Sequence, residues 1–250
     1  MTSLRRLTVL FVIALFVLAG CGSSDSKSDS SSKSSSSTDS SATKGQCEYP
    51  QHTGGGVARK VDPPPSKPVT DKATRATITT NRGVIPVTLD GDKTPCTVNS
   101  FLSLAKQGYF DKTPCHRLVN QGIYVLQCGD PSGSGQQGPG YVVKDELPQP
   151  DPRLTGCQDQ GGAKLCTYPP GTLAMAKGGD ASGLPIPDTE GSQFFLVYDN
   201  SPLPEGYAVF GRMTASGLQV VKKIAAAGAE PADANGNTAP KLPTTITSVK

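Results

Sequence analysis

Two patterns alternate along the chain from Ala73 onward. Short stretches in which apolar and polar residues take turns are separated by Gly, Pro, Asn and Asp, and two longer stretches repeat apolar residues at helical spacing. Ala76 to Thr80 and Val84 to Asp90 read as strands, with Asn81-Arg82-Gly83 as the hairpin turn between them. Pro86 has no backbone donor, which predicts an edge or a bulge in the second strand. Thr94-Pro95 opens a helix: Thr can cap it, and Pro at the first position gives up only an N–H that has no helical partner. Val98, Phe101, Leu102 and Ala105 make its apolar face, and Gly108 ends it in the left-handed conformation. Further short strands are expected at His116 to Val119, Ile123 to Leu126, Tyr141 to Leu147, Thr172 to Ala176, Phe194 to Tyr198, Tyr207 to Arg212 and Thr244 to Lys250. Gly217 to Ala227 is the second helix, with Leu218, Val221, Ile224 and Ala225 on one face. Two helices among many short strands predict a mainly β, closed antiparallel barrel; an α/β sheet would alternate strand and helix.

The N-terminal third follows neither pattern. Arg5 and Arg6 precede an apolar run from Leu7 to Ala19, shorter than the ~18–20 residues that span a bilayer. A basic start, a short apolar core and small residues predict a signal peptide over residues 1–20. The sequence Leu18-Ala19-Gly20-Cys21 has the form of a bacterial lipobox, which makes Cys21 the expected lipid attachment site. Gly22 to Gln46 holds thirteen Ser among its 25 residues and cannot bury enough apolar surface to offset chain entropy. Cys47 to Lys72 is loop-like, with a triple Pro at Pro63 to Pro65. Residues 21–72 are therefore expected as a lipidated, Ser/Pro-rich disordered tether, and residues 73–250 as the globular domain. The expected location is the cell membrane, anchored by lipid on the extracytoplasmic side.

Seven cysteines are present, and six remain if Cys21 carries lipid. An even number in an exported domain favours disulfides, with 15 pairings open. Cys157 and Cys166 bracket a Gly-rich insertion and are the first expected pair. Cys115 and Cys128, on neighbouring strands, are the second. Paired C-x-x-C knuckles and spare His ligands are absent from the sequence, so no metal is expected. The formal charge is +3, and removing Arg5 and Arg6 leaves +1, which gives no basic footprint for nucleic acid. Gly133 to Gly138 reads GSGQQG, but Pro139-Gly140 keeps a helix from starting there, so it reads as a surface loop and not as a dinucleotide site.

The ordered set His116-Arg117, Leu126-Gln127 before Gly129-Asp130, Thr172 to Ala176 (TLAMA), Gly191 to Phe195 (GSQFF) and Val209 to Gly211 (VFG) resembles the core of the cyclophilin family of peptidyl-prolyl cis–trans isomerases. The resemblance covers roughly Ala73 to Lys250. It implies an eight-stranded barrel capped by two helices, peptidyl-prolyl isomerase activity without a cofactor, and proline-containing segments of unfolded or exported proteins as substrates. A monomer is expected.

The same resemblance assigns roles. Arg117, Gln127 and Phe195 are the expected catalytic residues. Arg117 faces the prolyl nitrogen, Gln127 holds Arg117 and bonds the substrate backbone, and Phe195 floors the proline slot. Tyr124, Val125 and Leu203 are expected as its walls. Ala176 and Lys177 are expected to line the adjoining groove, Lys177 through its backbone, while Gln193 meets the residue before proline. His116 and Tyr207 complete the substrate-binding set. With His52 the only other histidine, a Ser–His–Asp hydrolase has no support. The chain also departs from the family. The spacing from Arg117 to Gln127 is longer, and Pro148 to Tyr168 and Lys177 to Glu190 are longer loops. The position of a common cyclosporin-binding Trp falls on Pro202, which implies weak cyclosporin binding. These departures keep a second reading open: a non-catalytic proline-peptide-binding or chaperone module on the same barrel.

Overall fold

The computed structural model describes residues 45–52 and 54–250. The expected signal, Cys21 and the tether up to residue 44 lie outside the described residues. In chain order the elements are β1 (Ala73–Thr80), β2 (Gly83–Asp90), α1 (Pro95–Lys106), β3 (Thr113–Pro114), β4 (Arg117–Gln121), β5 (Ile123–Cys128), β6 (Thr155–Gln160), β7 (Ala163–Tyr168), β8 (Thr172–Met175), β9 (Phe194–Val197), β10 (Ser201–Pro204), β11 (Val209–Met213), α2 (Ala215–Ala226) and β12 (Thr245–Val249). No helix among the described residues is long and apolar enough to cross a membrane.

Nine strands form one antiparallel sheet in the order β3-β12-β1-β2-β11-β8-β9-β5-β4. Its two end strands, β3 and β4, are separated in the chain only by Cys115 and His116, so the sheet must curl until its ends approach. The expectation of a closed eight-stranded barrel is corrected here, because no ladder joins β3 to β4 among the described residues. The segment before β12 fills the gap instead. Leu118 N–H donates to Thr238 O (2.8 Å), Thr238 Oγ1 donates to Leu118 O (2.7 Å), and Cys115 N–H donates to Thr244 O (2.9 Å). The Pro148 to Tyr168 insertion supplies β6 and β7, which with β10 form a separate three-stranded sheet.

The concave face holds the main core. Leu118, Leu126, Leu196 and Leu173 stand opposite one another across β4, β5, β9 and β8, each at most 1% exposed. Phe101 of α1 packs against Phe110, Phe194 and Phe210 at centroid distances of 5.1, 5.5 and 5.2 Å. Val98 and Leu104 join Phe101 on that helix face, while Leu102 and Ala105 are half-buried. Val221 and Ile224 of α2 enter the same core.

Several local expectations change. Thr94 makes no side-chain cap; the Glu146 carboxylate accepts instead from Cys96 N–H (3.0 Å) and Thr97 N–H (2.8 Å), placing an anion at the positive end of α1. Tyr141 to Leu147 is not a strand. Its backbone donors go to scattered partners, Val142 N–H to Pro50 O (2.9 Å), Val143 N–H to Glu190 O (2.8 Å) and Asp145 N–H to the Asp188 carboxylate (2.8 Å), so it makes isolated bridges and no ladder. Strand β2 is central, not an edge, but Pro86 sits just beyond the last residue that β11 pairs, Val87. Helix α2 starts at Ala215, and Gly217 is there for close approach, since a Cβ would lie 3.0 Å from Ile85.

The stretch from Cys47 to Lys72, expected as part of the tether, packs against the domain. Cys47 is disulfide-bonded to Cys96. The buried Asn99 of α1 donates to Tyr49 Oη (2.7 Å) and Pro65 O (2.8 Å) and accepts from Val69 N–H (3.1 Å). A stretch without periodicity is thus held by a crosslink and by polar contacts, which a hydrophobic pattern does not reveal. Disulfides also join Cys115 to Cys128 and Cys157 to Cys166. Glu205 lies near the last pair, but bridged sulfurs offer no thiolate to a metal.

Candidate active site

Strands β4 and β5 form a hairpin turned at Gly122, whose φ of +75° suits glycine. Their register sets Arg117 opposite Gln127; Gln127 is opposite Phe195 on β9, and Phe195 is opposite Ala174 on β8. Directly opposed residues point to the same face. Arg117, Gln127 and Phe195, far apart in sequence, therefore form one row on the convex face. Val119, Val125 and Val197 form the next row.

A hollow of about 270 Å³ opens over these rows. Arg117, Val125, Gln127 and Phe195 line its sheet side; Leu203 and Pro204 of β10, with Tyr207, close the other side. Phe195 is 6% exposed, and its ring meets Tyr207 edge-on at 5.5 Å. Arg117 Nη1 donates to Gln127 Oε1 (3.3 Å), and Gln127 Nε2 donates to Gln193 Oε1 (2.9 Å). Gln193 Nε2 in turn donates to Gly135 O (3.0 Å) and Gln137 O (3.1 Å). This relay fixes the Gln127 amide and leaves one of its two N–H groups without a partner among the described residues. No carboxylate lies within ion-pair distance of Arg117 among the described residues. Burial holds the guanidinium below its usual pKa, with nearby Tyr207 pulling the other way, and burial raises the Tyr207 hydroxyl. The result is a half-buried, un-neutralised cation beside an aromatic floor.

The Cys115–Cys128 disulfide ties the segment just before β4 to the end of β5, next to Arg117 and Gln127. Asp130 anchors the GSGQQG loop that Gln193 touches. Its carboxylate accepts from Ser132 N–H (2.8 Å) and Oγ (2.7 Å), Ser134 Oγ (3.0 Å) and Gln137 N–H (3.2 Å). Burial pushes the Asp130 pKa up, but these bonds hold it below the usual carboxylate value.

A second hollow of about 350 Å³ adjoins the first and shares Gln127, Ala176 and Lys177 with it. Gln193 lines this second hollow only. The Lys177 ammonium is 1% exposed and pairs with Asp145 (2.6 Å), so Lys177 presents no free charge to either space. Behind it, Glu190 is fully buried, and desolvation, opposed by Lys177, raises its pKa to about 8.

Two expected residues do not reach the hollow. Tyr124 meets Tyr198 edge-on at 5.9 Å and packs against the main core. The cause is strand parity: Tyr124 and Leu126 face the core, whereas Ile123, Val125 and Gln127 face the hollow. Ile123 is the lining residue that the sequence reading missed, and the alternation itself could have found it. His116 is 4% exposed and lies under the Gly135 turn, lining neither hollow; burial holds its pKa below the usual imidazole value. Pro204 and Gly183 also line the first hollow, brought there by the small sheet and the long loop after Lys177, for which the sequence carried no positional signal.

Comparison with known proteins gives a consistent result. A family model described as "Cyclophilin type peptidyl-prolyl cis-trans isomerase/CLD" matches residues 75–250. The "Probable peptidyl-prolyl cis-trans isomerase B" of Mycobacterium tuberculosis is 42% identical over 210 residues, covering 81% of this chain and 63% of that protein. Its namesake from Mycobacterium leprae is 45% identical over 190 residues, covering 73% of this chain and 59% of that one. The chain thus spans about three fifths of the length of these curated relatives. A crystal structure of a Cryptosporidium parvum cyclophilin type peptidyl-prolyl cis-trans isomerase in the presence of the dipeptide Ala-Pro is 27% identical, with a TM-score of 0.52, covering 70% of this chain and 97% of that one.

Proposed function

The chain belongs to the family of cyclophilin-type peptidyl-prolyl cis–trans isomerases, and from that membership we propose that it catalyses isomerisation of X–Pro bonds in polypeptides, with Arg117 as the residue that lowers the barrier. The uncatalysed barrier of ~18–20 kcal/mol comes from resonance between the carbonyl and the prolyl nitrogen. In the twisted state that resonance is lost and the nitrogen regains a localised lone pair. A guanidinium facing that nitrogen interacts with the twisted state more strongly than with either planar isomer, which is what catalysis requires. The proline ring occupies the hollow over Phe195, walled by Val125, Leu203 and Tyr207. Gln127 keeps Arg117 in place and uses its remaining N–H on the substrate backbone. No nucleophile is needed, because no bond is broken. The observation that carries this reading is the row Arg117–Gln127–Phe195 around one hollow. The structure of the Cryptosporidium relative in the presence of Ala-Pro supports a proline peptide as the ligand class.

The site of action is proposed to be the extracytoplasmic side of a membrane, on exported or envelope proteins, with the chain held by lipid on Cys21. Three disulfides in the described domain favour an oxidising compartment, and the basic, apolar and lipobox segments at the start of the chain fit export. Mass spectrometry of the mature N-terminus checks this: an acylated Cys21 is expected, and an unmodified one removes the anchor.

The rival reading, a peptide-binding module without catalysis, draws on the longer loops at Pro148 to Tyr168 and Lys177 to Glu190 and on Pro202 in place of the common Trp. A protease-coupled assay with a proline peptide, alongside peptide binding, separates the two. Isomerisation by the wild type that is lost in Arg117→Ala supports the enzyme; binding without isomerisation supports the module.

A further inference from the structure

The hollow beside the proline site has a wall that the family domain does not supply. His52, Gly54 and Gly56 line it, and all three precede residue 75, where the family match begins. The wall is anchored at both ends. Cys47 is bonded to Cys96, and the Arg59 guanidinium donates to the carbonyls of Gly108 (2.8 Å) and Tyr109 (2.7 Å). In between it pairs with the Gly135 to Gly140 loop, which also lines the hollow. His52 N–H donates to Gly140 O (3.0 Å), Gly138 N–H to Gly56 O (3.3 Å), and Ala58 N–H to Gly138 O (3.0 Å). The approach is close enough that a Cβ on Gly55 would lie 2.2 Å from Gln136 O.

Among the described residues that line the hollow, Lys177 is the one with a permanent charge, and it is already paired. The Lys177 ammonium is turned into Asp145, and Asp145 and Glu190 lie behind that lysine. Ile186, one of four exposed large hydrophobic residues among those described, lines the hollow. Val57, another of the four, flanks the wall and lies against Gly140. Gln193, which the family resemblance assigns to the residue before proline, lines this hollow and not the proline hollow. We propose that His52, Gly54 and Gly56 form a specificity-determining wall of the peptide groove, which selects an uncharged side chain on the N-terminal side of the proline. The inference rests on the proposed reading of the site as one that takes proline peptides.

The test uses the full chain and peptides that carry Leu, Gln, Asp or Lys at each of the two positions before proline. Exchange NMR on each sample gives both the isomerisation rate and the dissociation constant. The wild type is expected to turn over the Leu and Gln peptides about tenfold better than the Asp and Lys peptides, as placing one uncharged side chain out of water allows. His52→Ala, and separately Cys47→Ala with Cys96→Ala, should shrink that ratio by about threefold or more, since either opens the wall to solvent. Each ratio is taken within one sample, so a smaller folded fraction cancels. An unranked wild type, or a ratio unchanged in both variants, overturns the wall. If the wild type binds without isomerising, catalysis fails as a reading, and the same ratios of dissociation constants decide the wall. If no peptide binds, both readings fall.

Discussion

Strands β4, β5 and β9 carry two faces built from alternate residues, and the faces differ in what they leave open. On the concave side, Leu118, Leu126 and Leu196 stand in a row that α1 and α2 help to cover, with nothing accessible. On the convex side, the neighbouring residues Arg117, Gln127 and Phe195 stand in a parallel row that the small sheet covers only in part, leaving the hollow. The two Phe of the GSQFF stretch divide in the same way, Phe194 into the aromatic core and Phe195 into the site. The contrast shows how a site with few contacts of its own stays aligned. A one-residue slip would carry Arg117 into the core and the leucines into water, so burial on one face enforces register on the other.

Breaking the concave face should give the largest effect. Phe194→Ala removes a fully buried ring and should cost about 3–5 kcal/mol in urea unfolding, whereas Phe195→Ala, on the hollow, should cost clearly less while weakening peptide binding. Next is the relay on the convex face. Gln127→Ala frees Arg117 and should lower kcat/KM about tenfold to a hundredfold, with a melting temperature close to the wild type's.

A smaller effect concerns pH. In the fold, burial raises the Glu190 pKa to about 8 from an ordinary value of 4.5, so the folded state holds a proton that the unfolded chain releases. Stability should therefore fall as pH rises from 4.5 towards 8, and Glu190→Gln should flatten that slope in melting curves recorded across the range. The smallest effect is expected at Tyr124, which faces Tyr198 rather than the hollow. Tyr124→Phe should leave kcat/KM unchanged, and a loss of more than about tenfold would return Tyr124 to the site.

Where local chemistry decides, the sequence was readable. The Asn81–Gly83 turn, Pro95 at the start of α1, the Gly108 stop and the two helices are legible, although the cap of α1 comes from Glu146 and not from Thr94. Arg117, Gln127 and Phe195 could be named from ordered motifs, and the structure brings them to one hollow. Closure of the sheet was not legible, because it depends on residues 237–244 filling the gap between β3 and β4. Nor was the docking of residues 47–72, which rests on Cys47–Cys96 and on the polar Asn99, and neither leaves a periodic trace. Family position puts Tyr124 at the slot, but alternation excludes it: Tyr124 and Val125 are adjacent on a strand and cannot both wall one slot.

Arg117 and Leu118 are neighbours on β4 with opposite orientations, and comparing them tests the division between the faces most directly. The measurement is kcat for a proline peptide by exchange NMR, together with the melting temperature, for Arg117→Ala and Leu118→Ala. Arg117→Ala should lose about 10²–10³ in kcat with an unchanged melting temperature. Leu118→Ala should melt markedly lower while each folded molecule keeps its kcat. If Arg117→Ala retained the wild-type kcat, or Leu118→Ala abolished turnover without loss of stability, the assignment of catalysis to the convex row would be contradicted.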